Sequence, residues 1–154
     1  MKILGIHEGH TAGASLIING EVCFSISEER MSRKKNQVGF PLMSISEIFK
    51  RKNLVVDDID YFVFSSKYMH DPSMFSGMNV WYKAGEKKEK SQEENDKALE
   101  ENQLKRRKTL IENLGFIPEV KIIFKEHHLS HLTGAYYTSH NNFIGKEVLG
   151  FSAD

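Results

Sequence analysis

Apolar positions first gather in a short run, Ile3-Leu4-Gly5-Ile6. A polar turn bracketed by Gly9 and Gly13 follows, then a second run from Ala14 to Ile18. Runs of this length bounded by turn residues predict buried strands. Asn19-Gly20 ends the second run and is a strong two-residue hairpin signal. Beyond it Val22, Phe24 and Ile26 alternate with Cys23, Ser25 and Ser27, predicting a third strand with the first set on one face. The chain therefore opens as strand, turn, strand, hairpin, strand.

The pattern then changes. Glu28 to Lys35 reads as a charged loop that ends at Gly39-Phe40-Pro41. Pro41 suits a helix start, and Met43, Ile45, Ile48 and Phe49 share a face through about Lys52. Asp60 to Ser65 predicts a fourth strand. Lys67 to Lys83 has no clear period and reads as a partly buried irregular loop. Lys83 to Lys108 is dense in charge, with Glu93/Lys97 and Glu101/Lys105 spaced for i,i+4 pairing. With Leu104, Ile111 and Leu114 it predicts a long, mostly solvated helix ending at Gly115. Val120 to Phe124 predicts a fifth strand, His128 to Thr138 a helix, and Glu147 to Phe151 a sixth strand. Because the chain stops just after that strand, the expectation is a piece of a longer parent protein.

Composition narrows the classes. Lys and Arg number 21, as do Asp and Glu, so the formal net charge is zero and nothing attracts the whole chain to nucleic acid or an anionic membrane. Forty per cent hydrophobic residues suffice for a core. The single cysteine, Cys23, excludes an intrachain disulfide and reads as a buried thiol. The first apolar run is too short for a signal peptide or a membrane span, so a cytoplasmic location is expected.

Three clusters carry candidate chemistry. In Glu126-His127-His128-Leu129-Ser130-His131, residues four apart share a helical face, so His127 and His131 can aim ring nitrogens at one ion while His128 faces elsewhere. Gly134 and Ala135 continue that face; Leu129, Leu132 and Tyr136 suit the core. Two imidazoles are not a complete site, and Asp154, at the end of the sixth strand, is a natural third ligand. The competing reading is helix-surface histidines satisfied by hydrogen bonds. In the second cluster, Gly5 to Ser15, His10 suits a general base because its ordinary pKa lies near neutrality; an ordinary turn histidine is the alternative. In the third, Arg30, Arg33, Lys34 and Lys35 could hold a phosphate or carboxylate, or form a solvated loop. The run Lys105 to Lys108 reads as a solvated helix face rather than a nucleic-acid patch.

Gly9-His10-Thr11-Ala12-Gly13-Ala14-Ser15-Leu16, Ser27 to Lys35 with Gly39-Phe40-Pro41, and His127-His128-Leu129-Ser130-His131 with Ala135-Tyr136-Tyr137 resemble, in order, segments of a known family. That family is the carbamoyltransferases that include the nodulation-factor, cephamycin and aminoglycoside enzymes. Thr11 stands where the family commonly has Asp or Asn, and the charged stretch looks longer than in the family. The resemblance implies an α/β fold: the first half of an actin, sugar-kinase and heat-shock-chaperone-like (ribonuclease H-like) domain. Its sheet would be mixed, opening with a three-strand meander and flanked by helices. It implies metal ligands at His127, His131 and Asp154, a catalytic His10, and phosphate binding by Arg33, Lys34 and Lys35. The expected cofactor is a divalent transition metal, iron first, with zinc or manganese as alternatives. ATP and carbamoyl phosphate would be substrates of the parent enzyme.

The expected activity is O-carbamoyl transfer, through a carbamoyl-adenylate, to a hydroxyl of a sugar or natural product. Residues 1–154 would form the N-terminal subdomain of the acceptor-transfer domain. The remaining C-terminal domain of the same parent would be the partner, with no nucleic acid and no membrane involved. The fragment alone is expected to be inactive. A non-catalytic metal- or nucleotide-binding module of the same fold is the alternative.

Overall fold

The structure, a computed structural model, describes residues 1–68, 91–139, 143 and 145–152. The expected irregular loop lies outside the described residues except for Lys67 and Tyr68, as do Asp154 and the stretch 83–90 of the expected charged helix.

Strands β1 (Lys2–His7), β2 (Gly13–Ile18) and β3 (Glu21–Ser27) form the opening meander. Asn19 and Gly20 both have positive φ, 52° and 90°, as a tight hairpin requires. Helices α1 (Glu28–Ser32) and α2 (Leu42–Lys52) lead to β4 (Tyr61–Phe64). Helix α3 (Gln92–Leu114), strand β5 (Ile122–Phe124) and helix α4 (His127–Thr138) follow among the described residues. The sheet runs β3-β2-β1-β4-β5. Leu4 pairs antiparallel with Leu16 and parallel with Phe62, and Phe62 pairs parallel with Ile122, so the sheet is mixed. The parallel β4–β5 pair needs a long crossover, which contains α3.

Strand periodicity decides what each face buries. Leu4, Ile6, Ala14, Leu16, Phe62, Phe64 and Ile122 form one core with Ile45 and Ile48 of α2 and Leu110 of α3. Full burial of each large side chain contributes roughly 1.5–3 kcal/mol. The opposite face carries Gly5, Gly13 and Ser15. A Cβ at Gly13 would lie 2.9 Å from the Ile26 carbonyl oxygen, so that close approach needs glycine.

Four expectations change. First, the charged segment after β3 opens as helix α1. The Glu28 carboxylate, buried beneath it, accepts from the Met43 and Ser44 amides at 3.0 and 2.8 Å and from the Ser44 hydroxyl at 2.6 Å. It caps α2 from a distance, because Pro41 at the cap position offers no side-chain acceptor. Glu28→Ala should therefore cost about 2–4 kcal/mol in chemical denaturation, two orphaned amides and a lost charged acceptor, while Glu28→Gln keeps part of the cap. Second, a register shift between Leu16 and Ile17 leaves Cys23 unpaired with β2, so Cys23, Phe24 and Ile26 pack on the core while Val22 is exposed. Third, residues 147–152 form no strand: Leu149 and Phe151 are exposed, and that segment has no sheet partner among the described residues. Apolar sequence makes a strand only where a neighbouring backbone accepts its hydrogen bonds. Fourth, no residue of α4 is buried. Leu129 is half exposed, and Leu132 instead meets Gly150. On α2, Met43 likewise faces solvent while Ser44 is buried against Glu28.

Among the described residues no helix is long and apolar enough to cross a membrane.

Candidate functional site

Strand β1 ends at His7, and the turn Glu8–Ala12 returns the chain to β2. Thr11 adopts φ 60°, a left-handed conformation that Asn and Asp tolerate and β-branched residues resist. Its hydroxyl donates to the His10 carbonyl. The His7 ring joins two elements: Nε2 lies 3.0 Å from the His10 carbonyl oxygen and Nδ1 2.8 Å from the Ser65 hydroxyl. A carbonyl only accepts, so Nε2 carries the proton, and in the neutral ring Nδ1 accepts from Ser65.

Helix α4 starts directly after β5, beside the end of β1. Glu126 is its N-cap and accepts from the Leu129 amide at 2.7 Å. That bond holds the Glu126 carboxyl below the ordinary carboxylate range. One turn separates His127 from His131, and their Nε2 atoms stand 3.1 Å apart with ring planes at 82°. At that distance one ring can donate its N–H to the other, and two metal–nitrogen bonds of about 2.1 Å could equally span the separation. The His127 ring stacks on His7, centroids 6.2 Å apart at 23°. His128 turns away, with Nδ1 3.3 Å from the Ser152 hydroxyl. Asp154 lies outside the described residues, and among those described no group of three or more His, Cys, Asp or Glu completes a metal site.

The basic loop follows α1. Arg33 closes that helix at φ 59°, and Arg33, Lys34 and Lys35 are exposed. Backbone bonds lay the following residues along the histidine turn: the Ala12 amide donates to the Gln37 carbonyl at 2.8 Å, and the Gly39 amide to the Glu8 carbonyl at 3.1 Å. On the small-residue face of the sheet, a groove of about 890 Å³ runs between Gly5, His7, Gly13 and Ser15 and the Gly134–Tyr137 side of α4.

The expectation for Lys105–Lys108 fails at two positions. Arg106 is 2% exposed: its Nε donates to Glu8 Oε1 at 2.8 Å, and its Nη1 to the carbonyls of Ser66 at 2.8 Å and Lys67 at 3.2 Å. Its guanidinium carbon lies 4.6 and 4.8 Å from the ring centroids of Phe64 and Phe124. Arg107 lies over Phe124 and pairs with Glu119 at 3.3 Å. Burial pushes the Glu8 carboxyl up and the Arg106 guanidinium down, each opposed by its partner. The guanidinium starts high enough to stay charged, and the pair is ionic. Sequence reasoning missed this pair, although one signal was present. Glu8 follows Leu4 and Ile6 at the strand period, which aims it at the core, and a buried acid needs a cation.

The fold and site together define an α/β domain with a mixed five-stranded sheet that gathers a histidine turn and a dihistidine helix at one end. Residues 2–154 match the Carbamoyltransferase N-terminus family, and the chain belongs to that family. It is also similar to an uncharacterized protein of Methanocaldococcus jannaschii, 49% identical over 59 residues, 38% of this chain. An uncharacterized protein of Synechocystis is 33% identical over 66 residues, 42% of this chain. Each match covers 11% of the relative's length, so the matched part of the chain spans about a tenth of these curated relatives.

Proposed function

We propose that the chain is the first subdomain of the acceptor-transfer domain of an O-carbamoyltransferase, built on the first half of an actin-like, ribonuclease H-like domain. A C-terminal domain of the same parent would make carbamoyl-adenylate from carbamoyl phosphate and ATP. The carbamoyl group would then pass to a hydroxyl of a sugar or natural product, its bond to the adenylate phosphate breaking to release AMP. Family membership supports carbamoyl transfer in general. The observation that carries the site is the His7–His127 stack, which sets the histidine turn beside the dihistidine helix.

His127 and His131, with Asp154 as third ligand, would hold a divalent transition metal, iron first among the candidates. The bound ion would supply Lewis-acid polarisation of the carbamoyl oxygen or an anchor for a nucleotide phosphate. His10 would take the proton from the attacking hydroxyl, on a turn whose backbone is fixed through its carbonyl by the His7 Nε2–H. Arg33, Lys34 and Lys35, on the loop running beside that turn, would neutralise phosphate charge. The small-residue groove gives the acceptor room next to His7.

His10→Asn in the full-length protein should reduce carbamoyl transfer by about 100-fold or more while adenylate formation continues. Adenylate formation is followed by ATP consumption, and transfer by acceptor carbamoylation. Unchanged transfer refutes His10 as the base.

A further inference from the structure

The charged helix α3 has no part in the chemistry above, yet it delivers the most deeply buried cation among the described residues. The two segments that Arg106 grips, one through the Glu8 carboxylate and one through the Ser66 carbonyl, are the ones that place His7. Glu8 directly follows His7 on β1, and Ser66 directly follows Ser65, whose hydroxyl meets His7 Nδ1 after β4. His7 in turn holds the His10 carbonyl and stacks on His127. A single planar guanidinium, flanked by Phe64 and Phe124, thus ties the ends of β1 and β4 together beneath the histidine turn. Its fork satisfies a carboxylate and two carbonyls at once, which a lysine ammonium cannot do in the same place.

We infer that Arg106 is a positioning residue, acting through Glu8 and Ser66 to fix the His7–His10 turn against the dihistidine helix. Its catalytic consequence rests on the transfer reading above; its structural consequence does not. The guanidinium touches no reacting atom. Its function is to keep the turn from opening on the timescale of turnover, because a shift of about 1 Å in a catalytic group can cost about 100-fold in rate.

The test uses the full-length protein with two variants. Arg106→Lys keeps the charge and loses the fork. The double variant Glu8→Leu with Arg106→Met replaces the ion pair by apolar groups and avoids a stranded charge. Hydrogen exchange is read at the Ala12 and Gly39 amides, which the turn and its neighbouring loop protect, and at Leu4 and Leu16 within the β1–β2 pair. In both variants exchange at Ala12 and Gly39 should rise about ten-fold or more, with Leu4 and Leu16 within about two-fold of wild type. Transfer kcat should fall about ten-fold or more with the acceptor KM little changed. Unchanged exchange at the turn, acceleration spread evenly over the sheet, or an unchanged kcat overturns the inference. If the wild-type protein shows no carbamoyl transfer, the functional reading falls by itself, and the exchange pattern still decides whether Arg106 holds the turn.

Discussion

Arg106→Met alone should destabilise the domain by roughly 3–5 kcal/mol at neutral pH, because it leaves the Glu8 carboxylate buried without its cation. The loss exceeds that of a single neutral hydrogen bond, since Glu8 is removed from water on the core side of the sheet. The effect should depend on pH. Burial already pushes the Glu8 carboxyl above its ordinary value, and Arg106 is the group that opposes this. Without Arg106 the folded-state pKa rises further while the unfolded value stays near 4.5. A carboxyl raised in the folded state favours folding below its unfolded pKa and loses that contribution as pH rises through the folded pKa. The variant should therefore regain much of its stability on acidification from pH about 8 to about 5, while the wild type gains less. Urea denaturation across that range checks it. A penalty independent of pH would mean that Glu8 is not the group left stranded.

The second large effect concerns the dihistidine helix. His131→Ala should lower the affinity of the full-length protein for a divalent transition ion by more than about 100-fold, beyond the loss seen when only an outer-shell partner is removed. On the metal reading, the 3.1 Å separation of the His127 and His131 nitrogens would let both rings hold one ion, and removing either would leave one imidazole of the pair. His128→Ala, on the neighbouring face and directed at Ser152, should leave affinity within about three-fold. Titration with Co²⁺, read by its visible absorption, measures both. Equal losses for the two variants would show that the ring convergence has no role in binding.

Local signals in the chain were sufficient for much of this. The opening meander follows from period-two burial and from Asn19-Gly20, whose positive φ values the structure shows. Helix α2 follows from its apolar spacing and α3 from its i,i+4 charge pairs, while the reciprocal Ser91–Glu94 cap that starts α3 at Gln92 was a local signal that sequence reasoning missed. The face shared by His127 and His131 follows from helical geometry alone. These features depend on contacts a few residues apart, which propensity and period encode directly.

Other features arise only when distant segments meet. Glu28 caps a helix 15 residues away and Arg106 meets a carboxylate 98 residues away, and neither partner marks the other in sequence. The bulge that turned Val22 outward depends on how β3 pairs with β2. Residues 147–152 are apolar enough for a strand, but hydrogen bonding with a neighbouring backbone decides whether one forms. Sequence alone thus determined the opening meander, helices α2 to α4 and the helical face that His127 and His131 share. The tertiary structure decided which charges are buried, because the cost of burying a charge is set by the partner that long-range folding supplies.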